Sequence, residues 1–343
     1  MTSRHTQVII PANKDMFMRS PKLSLLLLGI LALSLSACST RHSRPVVQAD
    51  MRPTVSMNDR QLDNWQSLSA RLQHDGLDKR RTSELFARLD LPPSSVPMGV
   101  KVKELYSNKF FPKPKARPRK SFETKLGIPG PWFKGVVTTA NARACREFMD
   151  KHAGAFARAE LNSGVPSEVA AALLFVETRL GGYLGKHNAF YMLASMSVTR
   201  DPSDIPEYLA KLPGSEQHLP WIREKMEVKA DWAYRELKAL LAYCYANNLD
   251  PLKIKGSIYG AIGLCQFMPS NISRYALDGN GDGVINLFTA EDAVASLSNY
   301  LQRNGWKKGM TVAQQTRVLR SYNAMDIYAH TILALAKTIR QLN

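Results

Sequence analysis

Acidic residues are scarce in this sequence. It has 29 Asp and Glu against 46 Lys and Arg, a formal net charge of +17 over 343 residues. Such a balance calls for an anionic partner, whether nucleic acid, a membrane surface or a polyanionic matrix. Cysteine is scarcer still, with four in the chain and no CxxC pair or Cys/His cluster, so no zinc site is indicated. The length suffices to bury a proper core, so stability does not call for disulfides. No internal repeat is visible, and convincing strand patterns are few. With 45% hydrophobic and 22% charged residues, the composition is that of an ordinary folded chain.

A long membrane-spanning run is missing too. The apolar stretch Leu23–Ala37 follows Lys22 and is too short for a comfortable transmembrane helix, but it has the length of a signal-peptide core. It ends in Leu35-Ser36-Ala37-Cys38, which resembles the lipobox of bacterial lipoproteins. That resemblance implies removal of residues 1–37 and acylation of Cys38. The other reading is an uncleaved helical anchor. Ser39 after the cysteine implies, by the sorting habit of such lipoproteins, the periplasmic face of the outer membrane. Export sets nucleic acid aside as the anionic partner. Cys145, Cys244 and Cys265 remain, an odd number that cannot all pair within the chain.

Four segments follow from composition: residues 1–38 as signal and lipobox, 39–58 as a polar tether, 59–120 as an N-terminal helical segment, and 121–343 as the main body. Leu62, Trp65, Leu68 and Leu72 recur at helical spacing over 61–73, and a second short helix is expected over 82–89 before Pro92-Pro93. Residues 101–120 carry eight Lys or Arg against the single acid Glu104, and Pro112, Pro114 and Pro118 make this stretch read as extended and exposed. It is either a solvated linker or a contact for anionic wall polymer or lipid. Beyond Asn141 the chain reads as mainly helical. Val169–Val176 is continuously apolar and so buried on most sides, with Pro166 tolerated at its start and Gly181-Gly182 supplying its stop. Further helices are expected over 232–245 and 325–342.

Three constellations carry chemistry. Glu177 follows the apolar run directly, with Leu173 and Leu174 one turn behind it. Desolvation there would raise its pKa, as a general acid at neutral pH requires. The alternative is a structural glutamate paired with Arg179 or another base. Next comes Gly256-Ser257-Ile258-Tyr259-Gly260-Ala261-Ile262-Gly263-Leu264-Cys265-Gln266-Phe267-Met268-Pro269. Its glycines suit a turning backbone that a ligand approaches closely, and Ser257 and Gln266 suit a sugar or acetamido group. Third, Asp278, Asn280 and Asp282, with Gly283 sixth and Ile285 eighth, match the front of an EF-hand calcium loop, although Thr289 stands where its closing glutamate belongs. The same pattern also suits an Asx-Gly turn that binds no metal.

Gly260–Pro269, with an upstream Val176-Glu177-Thr178-Arg179, resembles the glycine-glutamine-methionine-proline motif of lytic transglycosylases. Gly164–Glu168, Asn299-Tyr300, Gly305-Trp306 and Tyr322-Asn323 are further matches. Together they resemble the membrane-bound lytic murein transglycosylase B family of the lysozyme-like superfamily, from about residue 61 to the C-terminus. The resemblance implies a mainly α, lysozyme-like fold with a small metal-loop region. It implies Glu177 as sole catalytic acid, with Ser257 beside it and Gln266, Tyr300, Tyr322, Asn323 and Tyr328 lining a glycan groove. The alternative for the tyrosines is core packing. It also implies a structural calcium held by Asp278, Asn280, Asp282, the Val284 carbonyl and Asp292, with no cofactor for catalysis.

The implied reaction cuts the bond between N-acetylmuramic acid and N-acetylglucosamine and leaves a 1,6-anhydro end. The implied setting is a lipid-anchored monomer acting on peptidoglycan. Residues 197–221 depart from the family pattern, with Pro202 where a substrate-contacting arginine is expected, and Leu264-Cys265 replaces the usual aromatic before Gln266. The competing readings are a hydrolytic muramidase and a non-catalytic peptidoglycan-binding scaffold.

Overall fold

The computed structural model describes residues 59–112, 122 and 124–342. The signal segment, Cys38, the tether and residues 113–120 of the basic stretch lie outside these. Thirteen α-helices and one two-stranded ribbon are found among the described residues.

The first three helices are α1 (Asp59–His74), α2 (Lys79–Ala87) and α3 (Val96–Phe110). Trp65, Leu68 and Leu72 of α1 are buried, as their spacing predicts. Trp65 meets Phe86 edge-on at 6.1 Å, and Phe86 meets Phe190 at 5.6 Å. Asp78 caps α2 by accepting from the Arg81 amide. The expectation of an extended chain over 101–120 is corrected for its first half. Lys101–Phe110 is helical, because Met98, Val102 and Tyr106 recur every fourth residue and bury one face. Pro112 stands just past the end of this helix.

The body continues with α4 (Thr139–Lys151), α5 (Ala153–Ser163) and α6 (Ser167–Thr178). Strand β1 (His187–Asn188) and α7 (Ala189–Val198) follow, then the short α8 (Pro206–Leu209) and the 28-residue α9 (Leu219–Ala246). The expected helix over 232–245 is thus the second half of a longer one. Strand β2 (Lys255–Gly256), α10 (Pro269–Tyr275), α11 (Ala290–Arg303), α12 (Val312–Tyr322) and α13 (Asp326–Arg340) complete the chain. Pro202 opens a single 3-10 turn, where a capping box joins Asp201 and Asp204.

Two helical groups share one continuous hydrophobic core. In one, α6 packs against α4, α5, α11 and α13; in the other, α9 packs against α3, α7 and α10. Helix α6 is central because eight successive residues, Val169–Val176, are buried. Strands β1 and β2 pair antiparallel, with His187 opposite Gly256 and Asn188 opposite Lys255. Residues 257–268 therefore run from this ribbon to α10. Buried Glu236 on α9 holds the start of α10 by accepting from the Ser270 amide and hydroxyl, at 2.9 and 2.8 Å. Cys145, Cys244 and Cys265 are free and buried, and burial pushes each thiol up to about 12, which keeps them inert. Among the described residues, no helix is long and apolar enough to cross a membrane.

Candidate active site

From Val169 to Val176, α6 is built from Ala, Leu, Val and Phe without Gly or Pro, so it runs unbroken towards its end. It does not stop at Gly181-Gly182 as the sequence suggests. The left-handed turn comes earlier, at Arg179 (φ 52°) and Leu180 (φ 59°). The Arg179 amide donates to the Phe175 carbonyl and the Leu180 amide to that of Leu174, which closes the helix. Two successive non-glycine residues in this region cost about 1–2 kcal/mol each. Such local cost is concentrated at functional sites.

Glu177 sits in this last turn, half-buried. Its Oε1 accepts from the Tyr328 hydroxyl at 2.5 Å. Burial pushes its carboxyl up from 4.5 to about 7, against the Tyr328 hydrogen bond, which favours the ionised form. Among the described residues, no cation or second carboxylate contributes to that shift. Arg179 is exposed, with its guanidinium 5.6 Å from the Phe175 ring centre.

Thr178 fastens the helix end to the glycine-rich segment. Fully buried, it donates its hydroxyl to the Leu264 carbonyl at 2.8 Å and accepts from the Gly181 amide at 3.0 Å. Across from it, Ile262 and Phe267 exchange backbone hydrogen bonds, and the Leu264 amide donates to Leu287. Gly263 (φ +73°) makes this possible, since a Cβ there would stand 2.6 Å from the Leu287 carbonyl oxygen. The expected site residues of this segment are occupied locally. The Ser257 hydroxyl accepts from the amides of Tyr259 and Ala261. Gln266, itself left-handed at φ 49°, donates its side-chain amide to the Gly263 carbonyl.

The expected aromatic residues stand behind Glu177 as a packed row. Ring centres lie 4.6 Å apart for Tyr275 and Tyr300, 4.9 Å for Tyr300 and Tyr322, and 6.4 Å for the stacked Tyr322 and Tyr328. Tyr300, Tyr322 and Tyr328 are all buried, as is Asn323. Tyr300 donates to the Ser321 carbonyl and Tyr322 to that of Cys265, while the Asn323 side chain accepts from the Met325 amide. The hydroxyls of Tyr300 and Tyr322 and the side-chain oxygen of Asn323 are thus engaged with backbone groups. Tyr328 is the member of the row that reaches Glu177. Sequence reasoning missed Thr178, whose only signal was its place between the acid and a double glycine.

In the candidate metal loop, Asp278 accepts from the amides of Gly281 and Gly283, Asn280 from Asp282, and Asp282 from Val284. Fully buried Asp292 accepts from Gly279 and Asn286. All five expected donors are oxygens, the chemistry that suits calcium. Among the described residues, however, no three acidic, His or Cys side chains are gathered at one point to hold a metal.

The sequence profile described as "Transglycosylase SLT domain" matches residues 60–318. The chain belongs to that family. Membrane-bound lytic murein transglycosylase B of Escherichia coli strain K12 is 33% identical over 199 residues, spanning 57% of this chain and 48% of that protein. The chain therefore aligns with about half the length of this relative. Among solved structures, SltB3 from Pseudomonas aeruginosa in complex with NAG-NAM-pentapeptide is similar with a TM-score of 0.58 at 16% identity, covering 81% of this chain and 79% of that one. Escherichia coli Slt35 in complex with calcium gives 0.55 at 20% identity, covering 81% and 93%. These likenesses establish the mainly helical, lysozyme-like fold expected from the sequence.

If Thr178 holds the acid-bearing turn against the glycine-rich segment, Thr178→Val leaves the Leu264 carbonyl and the Gly181 amide without a partner. The expected cost is about 1–3 kcal/mol of unfolding free energy by denaturant titration. Unchanged stability would show that the link carries no weight.

Proposed function

We propose that this family member is a peptidoglycan lytic transglycosylase, with Glu177 acting first as acid and then as base. The observation that carries the reading is a lone carboxyl at an apolar helix end, pushed up to about 7 and bonded to one tyrosine hydroxyl. At neutral pH a substantial fraction of Glu177 is protonated and able to donate. Donation to the glycosidic oxygen lets the bond to the N-acetylmuramic acid C1 break through an oxocarbenium-like transition state. Glu177 is then ionised, and Tyr328 stabilises that form. The substrate's own acetamido group stabilises the charge at C1, a role consistent with no second carboxylate acting on Glu177 among the described residues. The carboxylate then takes the proton of the muramic C6 hydroxyl, whose oxygen attacks C1. The product is a 1,6-anhydro ring, water is not consumed, and Glu177 is protonated again.

The setting we infer is the periplasmic face of an outer membrane, with the chain held through Cys38 and acting on glycan strands as a monomer. The basic charge and the lipobox-like run support it, as does the likeness to membrane-bound lytic murein transglycosylase B. A structural calcium in the loop of Asp278, Asn280, Asp282, Val284 and Asp292 is part of the same reading. Its support is the all-oxygen donor set and the calcium complex of Slt35. Binding would require the three carboxylates to draw together from their present positions.

Digestion of purified sacculi by the full chain, with products read by mass spectrometry, tests the reaction. Anhydromuropeptides are expected from wild type, and Glu177→Gln should lower their release by at least about a hundredfold, the scale of general acid catalysis. Reducing-end products would mean a hydrolytic muramidase, and no release would mean a binding scaffold. For the metal loop, 1 mM calcium, about 100 times a typical sensor-range Kd, should stabilise wild type by about 2.7 kcal/mol, and this gain should vanish in Asp282→Ala. An equal response of both proteins to calcium would remove the metal from this loop.

A further inference from the structure

Outside the acid and its supports, one cluster of charge has no role in the reaction. It begins on α9, where Trp221, Lys225 and Lys229 stand four residues apart and so share one face. Lys225 Nζ lies 5.7 Å from the Trp221 ring centre and pairs with the exposed Glu224 at 2.7 Å. Lys229 comes next, half-buried, and its pKa is pushed down by burial, then by Lys101 and Lys225, against the opposing pull of Glu104. Among the described residues, no carboxylate lies within ion-pair distance of Lys229.

Lys101 of α3 completes the line. It bonds Glu104 at 2.8 Å with its side chain 12% exposed, and its ammonium lies 4.2 Å from the Tyr259 ring centre. Tyr259 belongs to the segment organised by Ser257, the segment that continues to the Leu264 carbonyl held by Thr178 beside Glu177. The Trp221 face, three ammonium groups close enough to act on one another, and the loop next to the acid thus follow in sequence.

The nearby Glu104 is already bonded to Lys101, and a half-buried ammonium with no direct ion pair is costly, a cost that an arriving carboxylate reduces. An aromatic face beside such groups suits the C–H surface of a sugar and the cations suit acids attached to it. We propose that Lys101, Lys225 and Lys229 form a carboxylate-recognition stripe for a glycan strand running on from the catalytic site, with Lys229 as the principal contact. This rests on the glycan-cleaving reading above for its choice of ligand. Peptidoglycan offers that chemistry from two sources, the acidic groups of its peptide stems and the lactyl carboxylate of muramic acid wherever the stem has been removed.

Co-sedimentation of the full chain carrying Glu177→Gln, which should bind without cutting, tests the stripe apart from the reaction. Its affinity is compared with and without Lys229→Gln or Lys101→Gln on three substrates: peptide-bearing sacculi, peptide-free glycan, and sacculi whose carboxyls have been amidated. Each lysine variant should bind peptide-bearing sacculi about tenfold more weakly, the scale of one charge-assisted hydrogen bond. Neither should lose affinity for amidated sacculi, and Lys229→Arg should keep most of the parent affinity. A loss on peptide-free glycan instead would support the stripe with the lactyl group as its ligand. Equal affinities of parent and lysine variants on both acidic substrates, with unchanged melting temperatures, would overturn it. Cleavage by wild type is scored separately, so a stripe without a reaction and a reaction without a stripe are distinguishable.

Discussion

A single carboxyl group at the end of an apolar helix is the constraint on which the rest depends. Burial of Val169–Val176 fixes α6 in the core and brings Glu177 to the point where the chain must leave it. The same burial withholds water from the carboxyl and raises its pKa to about 7. A fold that simply minimised its free energy would not keep an acid there. Raising a carboxyl from 4.5 to about 7 means that the folded state binds the proton more tightly than the unfolded one. Glu177 therefore favours folding least at high pH, its cost growing as pH rises through that interval. Tyr328 offsets part of this cost by donating to the ionised form.

Much of the surrounding architecture holds that one group in place. Two left-handed residues end the helix directly after Thr178, and Thr178 itself binds both sides of the gap to the glycine-rich segment. The tyrosine row stiffens the wall behind, with Tyr300 and Tyr322 spending their hydroxyls on backbone carbonyls. Buried Glu236, by contrast, fixes the start of α10 through Ser270. Buried carboxylates thus take opposite roles according to their partners: backbone and hydroxyl donors hold one as an anchor, and a nearly apolar setting leaves the other able to carry a proton.

What the sequence revealed was local. The apolar run and the acid that follows it are contiguous, so both the helix and the candidate acid could be read directly, as could the buried face of α1. The tyrosines came from family likeness, and their position did not follow from it: burial of Tyr300 and Tyr322 depends on packing among α11, α12 and the glycine-rich segment. Thr178 was illegible because its partner Leu264 lies 86 residues away. The helix over Lys101–Phe110 was obscured by the prolines just beyond it, and α9 was read from Trp232 although it starts at Leu219. Both misreadings hid the same feature, since Lys101, Lys225 and Lys229 meet only when those two helices pack.

The central claim is that Glu177 carries a proton at neutral pH because of where α6 ends. The most direct measurement is a carbon-13 NMR titration of the side-chain carboxyls of glutamate-labelled protein, with Glu177 assigned by comparison with Glu177→Gln. The account predicts a midpoint near 7 for Glu177, moving higher in Tyr328→Phe because the bond favouring the ionised form is lost. A midpoint at the ordinary glutamate value of 4.5, unmoved by Tyr328→Phe, would contradict it.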